Sequence, residues 1–194
     1  MGPREDAAAA SRGSSLTMSL GAAQRDSPAG DLTVECKSGA LVILVGASGC
    51  GKSTWAAQRF QPHEVLSSDA FRAMVAGDQA DQSATADAFR LLHAAARARL
   101  RRGLLTVIDA TNLTTAARGS LLRLARGAGR PAVAVVFDVP LERCLANNAR
   151  RPDRQVPESV VRRHVGQLAG ARAALADEGF AAIHVVGAPE VEPR

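Results

Sequence analysis

Two hydrophobicity patterns alternate along most of this chain. Short, continuous apolar runs rich in β-branched residues are typical of strands that are buried on both faces of a parallel sheet. Five such runs occur, at 40–46, 64–68, 104–109, 132–139 and 181–186. A sixth, shorter run, LTVEC at 32–36, is predicted to form an edge strand.

The stretches between these runs have the spacing of amphipathic helices. One of them, 83–103, places four apolar residues on one face, namely Phe89, Leu92, Ala96 and Leu100. Gly103 is predicted to end that helix. Because strand and helix alternate throughout, we predict a doubly wound α/β fold with a mainly parallel, five-stranded sheet. Such sheets bind ligands at the carboxyl ends of their strands, so polar residues at those ends are the first candidates for chemistry.

Length and composition limit the class of protein. The 194 residues, 46% of them hydrophobic, are sufficient for one domain with a proper core. Residues 1–31 are rich in Ala, Gly, Ser and Pro and are predicted to be a disordered tail, while 32–194 form one domain. No apolar run reaches the roughly 18 residues of a membrane span, and the first residues lack the apolar core of a signal peptide. A cytoplasmic location, with no membrane association, is therefore expected.

Cysteine usage and charge narrow the class further. Cys36, Cys50 and Cys144 are widely spaced, and the four histidines show no ligand spacing, which argues against a disulfide framework or a zinc site. The net charge of +5 comes almost entirely from arginine and is compatible with an anionic partner such as a nucleotide or a nucleic acid. With 3% aromatic residues and no tyrosine, an aromatic stacking platform for single strands is not expected.

The most specific local pattern is GASGCGKST at 46–54, which fits the phosphate loop G-x-x-x-x-G-K-[ST] between a predicted strand and a predicted helix. Its glycines let the backbone curl so that N–H groups point at phosphate oxygens, and the helix start adds positive dipole. Lys52 is expected to bind the β- and γ-phosphates, Ser53 to ligate Mg²⁺ and Thr54 to contact the α-phosphate. The expected nucleotide-binding residues are Gly46, Ala47, Ser48, Gly49, Cys50, Gly51, Lys52, Ser53 and Thr54.

The nucleotide is expected to be ATP, because the chain has no NKxD base-reading motif of the GTPases. Cys50 occupies a free position of the loop. It is either a small residue that fits there, which is the favoured interpretation, or an oxidisable thiol beside Lys52.

A carboxylate and an arginine follow the second predicted strand. Asp69 comes directly after it, and Arg72 lies three residues later on the same helix face. One interpretation makes Asp69 only the N-cap of the helix. The other makes Asp69 the group that holds a hydroxyl acceptor in line and accepts its proton late in phosphoryl transfer, with Arg72 orienting the carboxylate and binding an anionic acceptor.

Two further segments contribute candidates. Asp109, at the end of the third run, is predicted to hold a magnesium-bound water or contact the acceptor, or else to start an Asx turn. Thr111 and Asn112, which follow it, are expected to form hydrogen bonds nearby. The polar segment 147–160 is predicted to be a lid whose Arg151 and Arg154 close over the transferring phosphate. The alternative for this segment is a solvated, charged loop.

In this order and spacing, GASGCGKST, LSSDAFR, DQSATADAF, LTVIDATN and RRPDRQVPESVV resemble the kinase module of bacterial polynucleotide kinase–phosphatase, within the wider group of P-loop kinases and AAA-type ATPases. The resemblance implies a P-loop NTPase fold like that of nucleoside monophosphate kinases, and transfer of the ATP γ-phosphate to the 5′-hydroxyl of RNA or DNA. It further implies that Lys52 and Ser53 bind ATP and Mg²⁺, that Asp69 is the general base assisted by Arg72, and that Arg151 is a lid arginine.

The chain departs from that family in two ways. Family members often carry another basic residue in the helix before the lid, where this sequence has Asn147 and Asn148, so weaker closure over ATP is expected. The 194 residues leave no room for phosphatase and ligase-like modules, so a free-standing kinase module is expected. Two other functions stay open: a P-loop kinase for a sugar acid, nucleoside or sugar nucleotide, and a regulatory protein that binds ATP without transferring phosphate. The sequence identifies no protein partner.

Overall fold

The computed structural model of the chain describes residues 39–151 and 155–187. The predicted tail at 1–31, the predicted edge strand at 32–36 and the lid residue Arg154 lie outside the described residues. These three assignments, and the assignment of 32–194 to one domain, stay predictions.

Strands and helices alternate along the described chain. The strands are β1 (Leu41–Val45), β2 (Val65–Ser67), β3 (Thr106–Asp109), β4 (Ala132–Asp138) and β5 (Ala182–Gly187). The helices are α1 (Lys52–Arg59), α2 (Ser68–Ala76), α3 (Thr85–Arg101), α4 (Thr115–Gly127), α5 (Leu141–Ala149) and α6 (Glu158–Leu175), and a short 3₁₀ turn spans Pro62–Glu64. The five apolar runs in this part of the chain therefore form the predicted strands, with bounds that differ by at most two residues.

The strands form one parallel sheet in the order β2-β3-β1-β4-β5. This confirms the predicted parallel, five-stranded sheet. The order places the carboxyl ends of β2, β3 and β1 next to one another, and the register sets Ser67 of β2 opposite Asp109 of β3. The segments that follow these three strands carry the phosphate loop, Asp69 and Asp109, so the topology brings them to one edge of the sheet.

Helices cover both faces of the inner strands. Leu41, Ile43 and Val45 pack with apolar residues of α3, α4 and α6, while Val42 and Leu44 pack with residues of α1 and α5. Alternate side chains of a strand point to opposite faces, so β1 needs apolar residues at every position. This is why its sequence is a continuous apolar run.

The outer strands do not share that environment. All three residues of β2 are only partly buried, and β5 alternates between half-buried and exposed positions, with Ile183 and Val185 exposed. The prediction of burial on both faces is therefore wrong for these two runs, because each forms one edge of the sheet in the described structure.

The third helix confirms its predicted apolar face with one exception. Ala88, Leu92, Ala96 and Leu100 are buried against the sheet. Phe89 was expected on this face but is only half-buried. The helix ends before Gly103, whose φ of 70° lies in the left-handed region that suits glycine after a helix. Within residues 39–151 and 155–187, no helix has both the length and the hydrophobicity to cross a membrane.

Candidate active site

A cavity of about 490 Å³ opens at the carboxyl edge of β1, β2 and β3. Four separate segments contribute predicted site residues to its lining: Ser48, Gly49, Gly51, Lys52, Ser53, Asp69, Arg72, Asp109 and Arg151. The other predicted loop residues, Gly46, Ala47, Cys50 and Thr54, do not line the cavity. The fold thus gathers residues that are as many as a hundred positions apart in the sequence.

The phosphate loop is fixed by close backbone packing. Gly49 and Gly51 have φ of 81° and 96°, values that favour glycine. A Cβ on Gly49 would lie 2.2 Å from the carbonyl oxygen of Cys144 in α5, so no side chain fits there. At the start of the loop, the Gly46 N–H donates to the Thr111 carbonyl at 3.0 Å, which ties the loop to the segment after β3.

The ammonium group of Lys52 is folded against its own loop. The residue is 7% exposed, and its Nζ donates to the carbonyls of Gly46 at 3.0 Å and Ala47 at 2.7 Å. A third contact, at 3.4 Å, goes to the Sγ of Cys50, which is buried under the loop. Nζ therefore lies in the concave side of a loop whose shape suits phosphate, and phosphate oxygens would compete with these weaker acceptors.

The start of α2 tests the interpretation of Asp69 as an N-cap. The hydroxyl of Ser67 accepts from the Ala70 N–H at 3.5 Å and caps the helix. The interpretation of Asp69 as the N-cap is therefore wrong. Its Oδ1 instead accepts hydrogen bonds from the guanidinium of Arg72 and, at 3.4 Å, from the hydroxyl of Ser68.

Arg72 is held on two sides. Its side chain is 5% exposed, and its Nε donates to the Gln79 carbonyl at 2.9 Å in the α2–α3 connection, while its Nη2 binds Asp69. The Asp69 side chain is 28% exposed and faces the cavity. A buried cation therefore fixes the orientation of a carboxylate that a ligand can still reach.

Asp109 lies at the centre of the charged groups. The hydroxyl of Ser53 donates to its carboxylate, and the charges of Lys52, Asp69 and Arg151 all act on it. Burial, in the first place, and the negative charge of Asp69 raise the pKa of Asp109. The hydrogen bond from Ser53 and the positive charges of Lys52 and Arg151 oppose that shift.

The alternative that Asp109 starts an Asx turn at the next helix is wrong. Helix α4 begins only at Thr115, and its cap is Thr114, whose hydroxyl accepts from the Ala117 N–H at 3.2 Å. Asp109 instead ends β3 inside the cavity.

The adjacent Ser53 hydroxyl and Asp109 carboxylate fit a Mg²⁺ ion. Both are hard oxygen donors, and Mg²⁺ in nucleotide sites is usually held by one or two protein groups together with phosphates and water. In the part of the chain that the structure describes, no three His, Cys, Asp or Glu residues are grouped so that they could hold a metal. This donor set therefore suits an ion that shares its ligands with a nucleotide rather than one held by protein alone.

The segment that joins α5 to α6 is anchored by two asparagines. Asn148 donates to the Val156 carbonyl at 2.7 Å and accepts from the Val156 N–H at 3.1 Å. Asn147 donates to the carbonyl of Gly49 in the phosphate loop at 2.9 Å. The sequence indicated these asparagines only as replacements of basic residues, whereas in the structure Asn148 binds Val156 and Asn147 binds the phosphate loop.

Two other residues support the phosphate loop: His164, which no sequence pattern indicated, and Asn112, which was expected to form hydrogen bonds near Asp109. His164 of α6 lines the cavity, and its Nδ1 lies 3.2 Å from the Ser48 hydroxyl of the phosphate loop. Asn112, with a left-handed φ of 47°, donates to the carbonyl of Leu44 at 2.8 Å, directly behind the loop. Its Oδ1 is buried without a hydrogen-bond partner among the described residues.

Behind Asn112 lies a buried ion pair. The fully buried Arg118 of α4 donates to the Asn112 carbonyl at 2.9 Å and binds both carboxylate oxygens of Glu178, at 2.7 and 2.5 Å. No local sequence pattern predicts this pair, because its members are 60 residues apart.

The model of the AAA_33 family, described as an AAA domain, matches residues 41–175, from β1 to the end of α6. The chain belongs to this AAA-domain family. A chain of the Pnkp1/Rnl/Hen1 RNA repair complex is similar at 26% identity and a TM-score of 0.61, over 70% of this chain and 46% of that one. A chain of the AvrRxo1-ORF1:ORF2 complex with ATP is similar at 20% identity and a TM-score of 0.58, over 71% of this chain and 49% of that one.

These similarities confirm the predicted P-loop kinase fold and the predicted resemblance. Such a fold implies that the AAA-domain protein binds a nucleotide. The chain spans about half the length of the structures just named. No curated protein matches it at a significant level.

Proposed function

We propose that this protein is an ATP-dependent kinase that transfers the γ-phosphate to the 5′-hydroxyl end of a polynucleotide. One observation supports the transfer above all others: Asp69, oriented by Arg72, and Lys52 of the phosphate loop line the same cavity. In-line transfer requires a base and a phosphate-binding cation within one site, and the shared cavity supports that requirement.

The loop residues bind and orient the nucleotide in this proposal. Backbone N–H groups and Lys52 hold the phosphates, and the start of α1 adds positive dipole. Ser53 and Asp109 are the residues that would hold Mg²⁺, which supplies neutralisation of phosphate charge when it is bound.

Asp69 orients the acceptor and takes its proton. Phosphoryl transfer to an alcohol has a loose transition state, so the carboxylate need not remove the proton in advance. It must hold the hydroxyl in line with the phosphate and accept the proton as the new bond forms. Arg72 keeps Asp69 in that orientation through their ion pair.

Arg151 stabilises the transferred group. It lines the same cavity as Lys52 and Asp69, so its positive charge would offset the negative charge that develops on the transferred phosphate. Closure of the α5–α6 segment would also exclude water, which otherwise competes with the acceptor.

The acceptor class is supported by the similarity, at 26% identity, to a chain of an RNA repair complex. Labelled ATP should therefore be incubated with a 5′-hydroxyl oligonucleotide, with the same oligonucleotide already 5′-phosphorylated, and with a panel of sugar acids, nucleosides and sugar nucleotides. We expect label only on the 5′-hydroxyl oligonucleotide, with a rate that falls as salt rises.

The other outcomes separate the alternatives. Label on a metabolite but not on the oligonucleotide would make the protein a small-molecule kinase. ATP binding with no labelled product from any acceptor would support a regulatory nucleotide-binding protein.

A further inference from the structure

A second cavity, of about 410 Å³, adjoins the candidate active site. The two cavities share Phe89, Thr111, Arg163 and His164 in their linings. The second cavity lies where α3, α4 and α6 meet. A ligand longer than one nucleoside could therefore continue from Asp69 into it.

A polar and basic strip leads away from this cavity along two neighbouring helices. We call it the α3–α4 seam, defined by Phe89, His93 and Arg97 on α3 and by Ala117, Ser120 and Arg123 on α4. Successive members are three or four residues apart, so each set lies along one face of its helix. Phe89 and Ala117 line the second cavity, and one turn further along the Nε2 of His93 lies 3.5 Å from the Ser120 hydroxyl.

The far end of the seam is positively charged. Arg97 and Arg123 are exposed, and neither has an ion pair or hydrogen bond with any residue of 39–151 or 155–187. Arg97 lies one helical turn after His93 on α3. Burial, and after it the charges of Arg97 and Arg123, lower the pKa of His93. Arg163, also exposed, adds a third positive charge where the two cavities meet.

We propose that the α3–α4 seam binds the downstream nucleotides of a single-stranded polynucleotide acceptor, a proposal that rests on the proposed function. Four observations agree with this occupant: the continuity of the two cavities, their shared Arg163, the direction of the seam and its uncompensated arginines. A linear polyanion has the complementary charge, whereas a small metabolite would not reach the far end of the seam.

The length of the seam fixes the size of the proposed ligand. Eight residues of helix separate Phe89 from Arg97, roughly 12 Å at about 1.5 Å per residue. At about 3.4 Å per nucleotide, this is the length of three to four stacked nucleotides. We therefore expect KM to fall as the acceptor grows from two to about six nucleotides and then to stay constant.

The test compares two double variants that remove the same charge. Arg97→Gln with Arg123→Gln alters the seam. Arg90→Gln with Arg162→Gln is the matched control, because both of these arginines are exposed on helices, pair with carboxylates (Asp87 and Glu158) and line neither cavity.

We expect the seam variant to raise KM about tenfold for a twelve-nucleotide 5′-hydroxyl acceptor and to leave KM for a dinucleotide within about twofold. The slope of log KM against log salt should decrease by about 1.4, or about 0.7 for each phosphate no longer neutralised. The control variant should change neither quantity. Equal effects of the two variants, or equal KM for the dinucleotide and the twelve-mer in the wild type, would show that the seam does not bind the acceptor. Either result would leave the proposed function intact.

Failure of the proposed function has a different signature. If no nucleic acid is phosphorylated, the affinity of a fluorescently labelled twelve-nucleotide strand is measured directly for the wild type and both variants. A loss of affinity confined to the seam variant would then support the binding surface alone, and equal affinity of all three proteins would overturn it too.

Discussion

At the scale of single residues, the site depends on which side chain caps α2. Ser67 takes the cap, so Asp69 is left in the first helical turn with its carboxylate bound to Arg72 and facing the cavity. A carboxylate near the helix start also interacts favourably with the helix dipole. The same short stretch therefore supplies a structural oxygen and a candidate catalytic one from neighbouring positions.

Asp69→Asn tests the proposed base with little change of volume. We expect the rate of phosphate transfer to fall by about 10²–10⁴-fold, because the amide cannot accept the acceptor proton. The affinity for ATP should stay within about twofold, since the phosphate loop is unchanged. Rates are measured with labelled ATP, and affinity by calorimetry with a non-hydrolysable ATP analogue.

The chain provides its own control for this substitution. Asp87 and Arg90 of α3 form the same i,i+3 pair on an exposed face outside the cavity. Asp87→Asn should leave transfer unchanged. A comparable loss of rate in both variants would mean that the effect arises from general surface charge, and Asp69 would not be the base.

The ionised carboxylate of Asp109 is expected to lower the free energy of unfolding of the ligand-free protein. Its raised pKa means that the folded state disfavours the ionised carboxylate relative to the unfolded state. Asp109→Asn should therefore raise Tm by about 2–4 °C at pH 7.5, which is the shift that a stabilisation of about 1 kcal/mol gives in a chain of this size. The substitution should also weaken binding of the ATP–Mg²⁺ complex.

The pH dependence gives the sign of this effect. Above the raised pKa of folded Asp109, the wild type carries the full free-energy cost of a buried carboxylate charge, and the variant is more stable. As pH falls through that pKa toward the ordinary value, the wild-type carboxyl becomes protonated and the difference should disappear. Thermal melts of both proteins across the acid range measure this, and a pH-independent difference would contradict the assignment.

At the scale of elements, the end of α5 binds both the phosphate loop and Val156, just before α6. Asn148 holds both backbone groups of Val156, and its carbonyl accepts from the Arg151 N–H at 3.3 Å. These three hydrogen bonds, which we call the Asn148 clamp, hold Arg151 and Val156 at the two ends of the α5–α6 connection.

Asn148→Ala should destabilise the protein by about 2 kcal/mol, because it leaves both backbone groups of Val156 buried without partners. We also expect KM for ATP to rise several-fold, since the segment that carries Arg151 is no longer fixed. Urea unfolding and steady-state kinetics measure the two effects. Asn147→Ala, which removes one half-buried bond to Gly49, is the comparison and should cost about 1 kcal/mol.

The sequence predicts most elements because their signals are local. The run of β1 is continuous because both of its faces are buried, and the phosphate loop is a contiguous pattern. The N-cap of α2 cannot be identified from the sequence alone, since Ser67, Ser68 and Asp69 are adjacent and each is a good capping residue. Only the backbone geometry, which places Ser67 just outside the helix, decides among them.

Contacts between distant segments left no local signal. Ser48 and His164 are 116 residues apart, and Asn112 and Leu44 are 68 residues apart. Their meeting depends on strand order and on the packing of α6, neither of which hydrophobic periodicity specifies. For the same reason, the clamp formed by Asn148 was not predicted.

At the scale of the whole molecule, the candidate site is supported by contacts between residues that do not line the cavity. Arg118 connects the loop after β3, through the Asn112 carbonyl, to Glu178 after α6. Asn112 in turn binds the Leu44 carbonyl behind the phosphate loop. One buried ion pair therefore connects α4, the segment after β3 and the segment after α6, and Asn112 continues this connection to the end of β1, just before the phosphate loop.

Glu178→Gln should destabilise the protein by about 3 kcal/mol, because it leaves the guanidinium of Arg118 buried without its counter-charge. The double variant Arg118→Met with Glu178→Leu should recover most of that loss, since well-packed apolar side chains can replace a buried pair. The exposed pair of Glu158 and Arg162 is the control, and Glu158→Gln should cost less than about 1 kcal/mol.

Stability and function should separate in the double variant. Its apolar side chains fill the space of the ion pair and keep the fold stable. They cannot donate the hydrogen bond that Arg118 gives to the Asn112 carbonyl, so the segment after β3 is held less firmly. We therefore expect near-wild-type unfolding in urea together with a several-fold increase in KM for ATP. Full recovery of both quantities would mean that the ion pair stabilises the fold alone, and that Asn112 holds the loop without help from Arg118.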